Sequence, residues 1–165
     1  MDAGTGILPS VRNATGGVFH AERAWADGAT SVTPASVKIG GLSGVEMVDQ
    51  GDSTSPSSTP TYYKNGGKQA STNVITDYNA KYEPGTNGTL GTLTLRGLSL
   101  INAFEGIYVT GSGTLTIVLD EAETSEIKTN TQAVFVMAGL HITGSGTLIA
   151  SSERKSSATI YASNG

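Results

Sequence analysis

Two stretches of the sequence decide the fold prediction: GIYVTGSGTL at 106–115 and GLHITGSGTL at 139–148, which share seven of ten residues at an offset of 33. A second echo, in apolar pattern only, relates 132–139 to 158–165 at an offset of 26. Apolar residues alternate with polar ones, and glycines mark the corners, which is typical of short strands. Units of this length are too short for propeller blades of about 40 residues. They predict an all-β right-handed parallel β-helix, a β-solenoid, with the TGSGTL segments one above another.

The same alternation predicts which side chains point inward. Val109, Leu115, Ile142 and Leu148 share one phase, and a slip of one residue would turn all of them outward. The offset of 33 predicts that Val109 stacks on Ile142 and Leu115 on Leu148. The alternating leucines of 91–100 extend the pattern upstream and add a third coil.

The chain divides into three parts by pattern. Residues 89–165 carry the β-solenoid repeats, and 36–88 form an irregular capping region whose low-complexity loop is 51–60. Residues 1–35 are an N-terminal segment that serves as a linker or cap. A helix of about two turns is predicted within 18–26.

Composition excludes several classes of function. The chain has 165 residues with 22 Gly, 22 Thr and 18 Ser, only 15% charged residues, a net charge of −4 and no cysteine. Helical bundles, disulfides and zinc–thiolate sites are excluded, and scattered basic residues give no footprint for nucleic acid. No apolar run of about 18 residues predicts membrane insertion. The first residues show no signal peptide, yet the Gly, Ser and Thr richness indicates an extracellular or cell-surface setting.

The candidate ligand-binding residues are four tyrosines, Tyr62, Tyr63, Tyr78 and Tyr82, together with Trp25. Exposed aromatic faces stack on sugar rings and offer a large apolar area. The alternative, which we favour, is that these rings cover the open end of the core as a cap.

Catalytic, metal and cofactor sites are not predicted. A carbohydrate-active β-helix enzyme needs carboxylates that meet on one face, and the six aspartates are dispersed. The acidic run 120–126 could bind a hard cation, but it lacks the Asp/Asn/Gly alternation of a calcium loop and fits a solvated loop better. His141 is predicted to be a surface histidine.

Several segments together resemble a known family of bacterial proteins. They are Val37-Lys-Ile-Gly-Gly-Leu, Tyr62-Tyr-Lys-Asn-Gly-Gly, Tyr78-Asn-Ala-Lys-Tyr, Gly91-Thr-Leu-Thr-Leu, Gly106-Ile-Tyr and Leu115-Thr-Ile-Val-Leu. This order resembles secreted or wall-attached proteins of gut Firmicutes whose repeats are labelled carbohydrate-binding domains and are similar to a cellulose-binding parallel β-helix family. The resemblance implies a β-helix, an extracellular location and sugar binding. Related β-helices hold calcium with acidic residues, and no matching cluster occurs here.

Function and partners follow as expectations. The chain is predicted to be a non-enzymatic module of a bacterial secreted or cell-surface protein, an adhesin or a display scaffold. A polysaccharide-binding module is the alternative, and a β-helix carbohydrate-active enzyme is third. The expected partner is a glycan or a host or cell-surface component. Because the sequence stops at 158–165, where another coil should begin, it predicts a fragment of a longer repeat protein, or self-association through an open C-terminal coil.

Overall fold

The computed structural model describes residues 19–21, 35–48, 59–69, 74–86, 89–155 and 158–163, which contain strands and no helix. The strands are β1 (Phe19–Ala21), β2 (Ser36–Ile39), β3 (Val45–Glu46), β4 (Thr61–Lys64), β5 (Gly67–Gln69), β6 (Ala80–Glu83), β7 (Thr89–Leu95), β8 (Ser99–Ala103), β9 (Ile107–Leu119), β10 (Thr124–Thr129), β11 (Val134–Gly144), β12 (Thr147–Ser152) and β13 (Ile160–Ala162). The described part is therefore all-β.

The strands form two sheets. The larger has ten strands in the order β1-β13-β11-β9-β7-β6-β4-β5, with β2 paired to β9 and β3 paired to β2, and it curls into a nearly closed barrel. Its strands run in both directions: β7, β9, β11, β13 and β1 pair in parallel, whereas β2 to β6 pair antiparallel. The smaller sheet, β12-β10-β8, is parallel.

The prediction of a right-handed parallel β-helix with an irregular N-terminal cap is wrong. A solenoid needs every sheet to be a stack of parallel strands, but the large sheet is mixed and nearly closes on itself. The physical reason is that the segment predicted as a cap pairs by backbone hydrogen bonds with the repeat segment. β6 joins β7 antiparallel, and β2 joins β9 antiparallel.

The residues read as an irregular region contain a hairpin that the sequence signals. Asn65-Gly66 connects β4 to β5, and both residues have positive φ, 49° and 88°. Two such residues between short strands are typical of tight hairpin turns, because Asn and Gly tolerate the left-handed region. Low-complexity sequence nearby obscured this signal.

The two TGSGTL segments do not lie above one another. The four residues predicted to point inward are all buried, but their partners differ from the prediction. The observed partners are Val136 for Val109, Leu140 for Leu115, Ile117 for Ile142 and Ser125 for Leu148. The alternation thus identified the inward phase, whereas the offset of 33 gave the wrong register.

The two copies of TGSGTL adopt different structures. β9 runs through the first copy without a turn, whereas the second ends β11 at Gly144 and turns into β12. Gly111, in the first copy, has φ 137°, and a Cβ there would lie 2.7 Å from Leu90 Cδ2. The positive φ and the close approach of Leu90 favour glycine at position 111, and the local sequence alone does not specify which of the two paths is taken.

The N-terminal strand covers the edge that was predicted to be open. Phe19–Ala21 pairs in parallel with Ile160–Ala162, so β1 shields β13. These three residues are strand and not the predicted helix, and Trp25 lies outside the described residues. In the part of the chain that the structure describes, no helix is long and apolar enough to cross a membrane.

One core unites both halves of the sequence. Residues of the antiparallel part, such as Val37, Met47 and Tyr82, belong to the same buried cluster as Ile117 and Ala150. Burial of these side chains away from water is the main stabilising contribution.

We predict that Leu148→Ala destabilises the protein by about 2–5 kcal/mol, because Leu148 is 2% exposed and the truncation would leave a cavity. Chemical unfolding followed by circular dichroism measures the change. Val74→Ala is the matched control, since Val74 is 84% exposed and its truncation should stay within about 0.5 kcal/mol. Equal losses for the two variants would contradict the assigned core.

Candidate ligand-binding surface

The four candidate tyrosines lie in and around the antiparallel strands. Tyr62 and Tyr63 are on β4, Tyr78 precedes β6, and Tyr82 is on β6. All four are buried, with 1–8% of each residue exposed. This burial favours the covering role over that of a sugar platform, because a buried ring cannot offer its face to a ligand. Their assignment as ligand-binding residues stays a prediction.

Tyr82 is the most deeply placed of the four. Its hydroxyl donates a hydrogen bond to the carbonyl of Leu90. Burial, together with the charge of Glu46, raises the pKa of Tyr82 to about 12. The ring therefore stays neutral and acts as a core side chain with a satisfied polar end.

Tyr78 lies against Tyr62 and a cation at the surface. The Tyr62 and Tyr78 ring centroids are 5.5 Å apart and tilted by 54°. The Arg96 guanidinium carbon lies 4.5 Å from the Tyr78 centroid, and Nη1 of Arg96 donates to the Thr76 carbonyl at 2.8 Å. One face of Tyr78 is therefore occupied by Arg96.

Arg96 also binds Asp120, the first residue of the acidic run 120–126. Its Nε donates to Oδ2 of Asp120 at 2.5 Å, and this bond holds the pKa of Asp120 below its usual value. The same bond raises the pKa of Arg96. The pair links the turn after β7 to the turn after β9. We name Tyr62, Tyr78, Arg96 and Asp120 the Arg96 cluster.

The rest of the acidic run is a turn and a strand. Glu121 and Glu123 are exposed beside the turn that precedes β10, and Glu126 lies on β10 and is exposed. Within the residues that the structure describes, no three His, Cys, Asp or Glu side chains come together to hold a metal ion.

An aromatic ladder crosses the parallel strands. Tyr108, Phe135 and Tyr161 are paired in register on β9, β11 and β13, with ring centroids 5.1 and 5.0 Å apart and nearly parallel rings. Sequence reasoning missed the ladder because it aligned Tyr108 with His141. The weaker echo at an offset of 26 relates Phe135 to Tyr161 and contained the signal.

A polar face lies beside this ladder on the outer side of β7, β9 and β11. Alternation turns six residues outward there, and they form two rows in register across the strands. The rows are Thr92-Thr116-His141 and Thr94-Val118-Thr143. We name these six residues the threonine face. All are half-buried or exposed, and His141 is exposed as expected.

The threonine face has a charged rim on β6. Lys81 pairs with Thr94 and Glu83 with Thr92, and their side chains form an ion pair with an N–O distance of 2.9 Å. Tyr62 pairs with Lys81 on the next strand. The rim therefore joins the threonine face to the Arg96 cluster.

No family model, curated protein or solved structure matches the chain.

We predict that Arg96→Gln raises the pKa of Asp120 toward its ordinary value, because the strongest bond to the carboxylate is lost. Carbon-detected NMR titration of Asp120 measures this change. Folding lowers the pKa of Asp120, so the pair stabilises the protein above about pH 4 and loses that contribution as pH falls through the folded-state pKa. Lys64→Gln is the control, since Lys64 pairs with Asp77. A pKa of Asp120 that is equal in the wild type and Arg96→Gln would refute the assignment.

Proposed function

We propose that the chain is a non-enzymatic module of a bacterial secreted or cell-surface protein, acting in adhesion or as a display scaffold. The threonine face is the observation that carries this proposal. It is a regular surface without formal charge, built on three neighbouring strands of the large sheet. Its position outside the cell is proposed from the Gly, Ser and Thr richness of the sequence.

Rigidity makes this face suited to contact with another surface. Each of β7, β9 and β11 is hydrogen-bonded to a strand on both sides, so its backbone is fixed. Threonine is stiff at χ1, and its hydroxyl both donates and accepts hydrogen bonds. Binding to such a face therefore loses little side-chain entropy.

Five of the described carboxylates support a role without catalysis. Glu46, Asp77, Glu83, Glu105 and Asp120 each bind a donor of their own chain in hydrogen bonds or ion pairs. Apart from Lys81–Glu83, which lies along β6, these contacts join residues that are distant in the sequence. A pair of carboxylates for acid–base work must instead face a shared reacting atom.

Glycan binding is the second candidate, and the rim of the threonine face favours it. Sugar hydroxyls pair with hydroxyl, carboxylate and ammonium groups, and Thr92, Thr94, Lys81 and Glu83 place these groups side by side. Arg96 of the Arg96 cluster adds a guanidinium next to them. On this proposal the ligand lies across the rim, and the buried tyrosines support the rim from beneath.

For adhesion, we predict that beads coated with the chain are retained by bacterial or host cell surfaces, and that Thr116→Lys reduces retention about tenfold. Thr116 is at the centre of its row, so a lysine would cover both neighbours. Thr124→Lys on the small sheet is the matched control and should retain wild-type binding. Equal retention for the two variants would exclude the threonine face as the adhesive surface.

For glycan binding, we predict that insoluble polysaccharide retains the chain and that Glu83→Gln weakens this retention about tenfold, equivalent to ~1.4 kcal/mol. Glu83 would lose its ability to accept two charge-assisted bonds. Glu126→Gln, an exposed glutamate on the small sheet, is the control. A lack of retention across plant, fungal and host polysaccharides would eliminate this second candidate.

A further inference from the structure

The outer face of the small sheet is a regular surface of mixed chemistry. Alternation along β8, β10 and β12 turns one set of side chains away from the core, and strand pairing aligns them in rows. The rows are Thr124-Thr147, Ser99-Glu126-Ile149 and Ile101-Lys128-Ser151. We name these eight residues the small-sheet face. All of them are exposed or half-buried, so the face is accessible.

Exposed apolar side chains are concentrated at this face. Six large apolar side chains are exposed in the described part of the chain. Two of them lie on the face, Ile101 at 46% and Ile149 at 37%, and a third, Phe104 at 67%, directly follows β8. A single exposed apolar residue needs no explanation, whereas a group on one sheet marks an interaction surface.

Charge is separated along the strands of the small sheet. Exposed acidic residues lie before β10 and in its first half: Glu121, Glu123 and Glu126. Exposed basic residues lie in the second half of β10 and after β12: Lys128, Arg154 and Lys155. Glu153 also follows β12 and offsets one of these positive charges. Because the three strands are parallel, the sheet has an acidic end and a basic end.

We propose that the small-sheet face packs against the same face of a second copy of this chain. The two-fold axis lies between the two sheets and crosses the strands at right angles. It reverses the strand direction, so the acidic end of each sheet faces the basic end of the other. Because both copies use the same patch, the assembly closes as a dimer. This proposal is independent of the surface function above and uses no residue of the threonine face.

The charges on the central strand select this axis. It passes over Ile127, between Glu126 and Lys128, so each Glu126 lies opposite Lys128 of the second copy. An axis parallel to the strands would instead place Glu126 opposite Glu126 of the second copy, where like charges repel. Charge complementarity therefore favours a second copy in the antiparallel orientation, with two ion pairs at the centre.

The same arrangement covers the exposed apolar side chains. Ile149 lies opposite Ser151 of the second copy, and Ile101 lies opposite Ser99, so each isoleucine meets a small side chain. Sheets that pack face to face at about 10 Å interdigitate their side chains in this way. The end of β8 lies over the start of β8 in the second copy, where Gly97 has no side chain to exclude Phe104.

The face is small, so the dimer is weak. Three strands spaced about 4.8 Å apart bury less than the roughly 1,200 Å² of a stable interface. We therefore expect dissociation at about 0.1 mM or above. Thr124→Lys and Glu126→Gln remain valid controls for the threonine face, because that face lies on the other sheet.

The first test is sedimentation velocity of the 165-residue chain at about 0.01–1 mM and about 0.15 M salt, which screens the net charge of −4. We expect the mass to rise toward twice 16.8 kDa and no further. Glu126→Lys should weaken association at least about tenfold, because lysine would face Lys128 of the second copy twice. Glu83→Lys on the large sheet makes the same change in net charge and should dimerise as the wild type does. A chain that stays monomeric, forms larger polymers or loses the dimer equally in both variants overturns the proposal.

The second test is a charge swap that fixes which residues meet. Lys128→Glu alone should lose the dimer as Glu126→Lys does, and both residues are exposed, so neither change disturbs the core. An equimolar mixture of the two single variants should form a heterodimer, because each lysine then meets a glutamate. The double variant Glu126→Lys/Lys128→Glu should dimerise with itself for the same reason. If the mixture or the double variant stays monomeric, the opposed pairs are wrong and the proposal fails.

Discussion

The parallel pairing of Ile107–Leu119 with Val134–Gly144 is the constraint on which the structure depends. Side chains alternate along both strands, so the backbone register, which shifts once between Met137 and Gly139, decides the composition of two surfaces at once. On the inner side it stacks Leu115 on Leu140 and Ile117 on Ile142. On the outer side it aligns Tyr108 with Phe135 and Thr116 with His141. A shift of two residues would keep the core apolar but break the aromatic ladder, so the outer face helps to select the register that the inner face alone would leave ambiguous.

The change from parallel to antiparallel pairing occurs between β6 and β7, and again where β2 pairs with the first residues of β9. Strand β7 is parallel to β9 and antiparallel to β6, so it joins the two halves of the chain in one sheet. Two ion pairs lie near this junction. Arg96 binds Asp120 across the turns, and Lys81 binds Glu83 along β6. These pairs are partly exposed, so each contributes little to stability. The Arg96–Asp120 pair links the turn after β7 to the turn after β9, and the Lys81–Glu83 pair lies along the rim of the threonine face.

The sequence was informative about local pattern and misleading about distant pairing. Alternation correctly placed Val109, Leu115, Ile142 and Leu148 inside, because burial of one strand face is a local property. Identity of the two TGSGTL segments suggested equivalent positions, but glycine and serine fit both an extended strand and a turn, so identical sequence did not impose identical structure. The echo at an offset of 26 carried the register of β11 with β13, with little identity, in apolar and aromatic pattern alone. The antiparallel pairing of β2 with β9 and of β6 with β7 left no pattern in the sequence that would identify these partners.

Threonine reconciles two demands on the outer surface of the large sheet. A strand exposed on one face needs β-branched residues to favour extended backbone, while valine or isoleucine in every outward position would create a sticky apolar patch. Threonine has the branch and adds a hydroxyl, so the rows on β7, β9 and β11 stay hydrated without charge. Charge is displaced to the rim, where Lys81 and Glu83 pair with each other across 2.9 Å. The surface thus gains a fixed arrangement of donors and acceptors from the same residues that keep its strands extended. Extended backbone and surface chemistry therefore both depend on the choice of threonine.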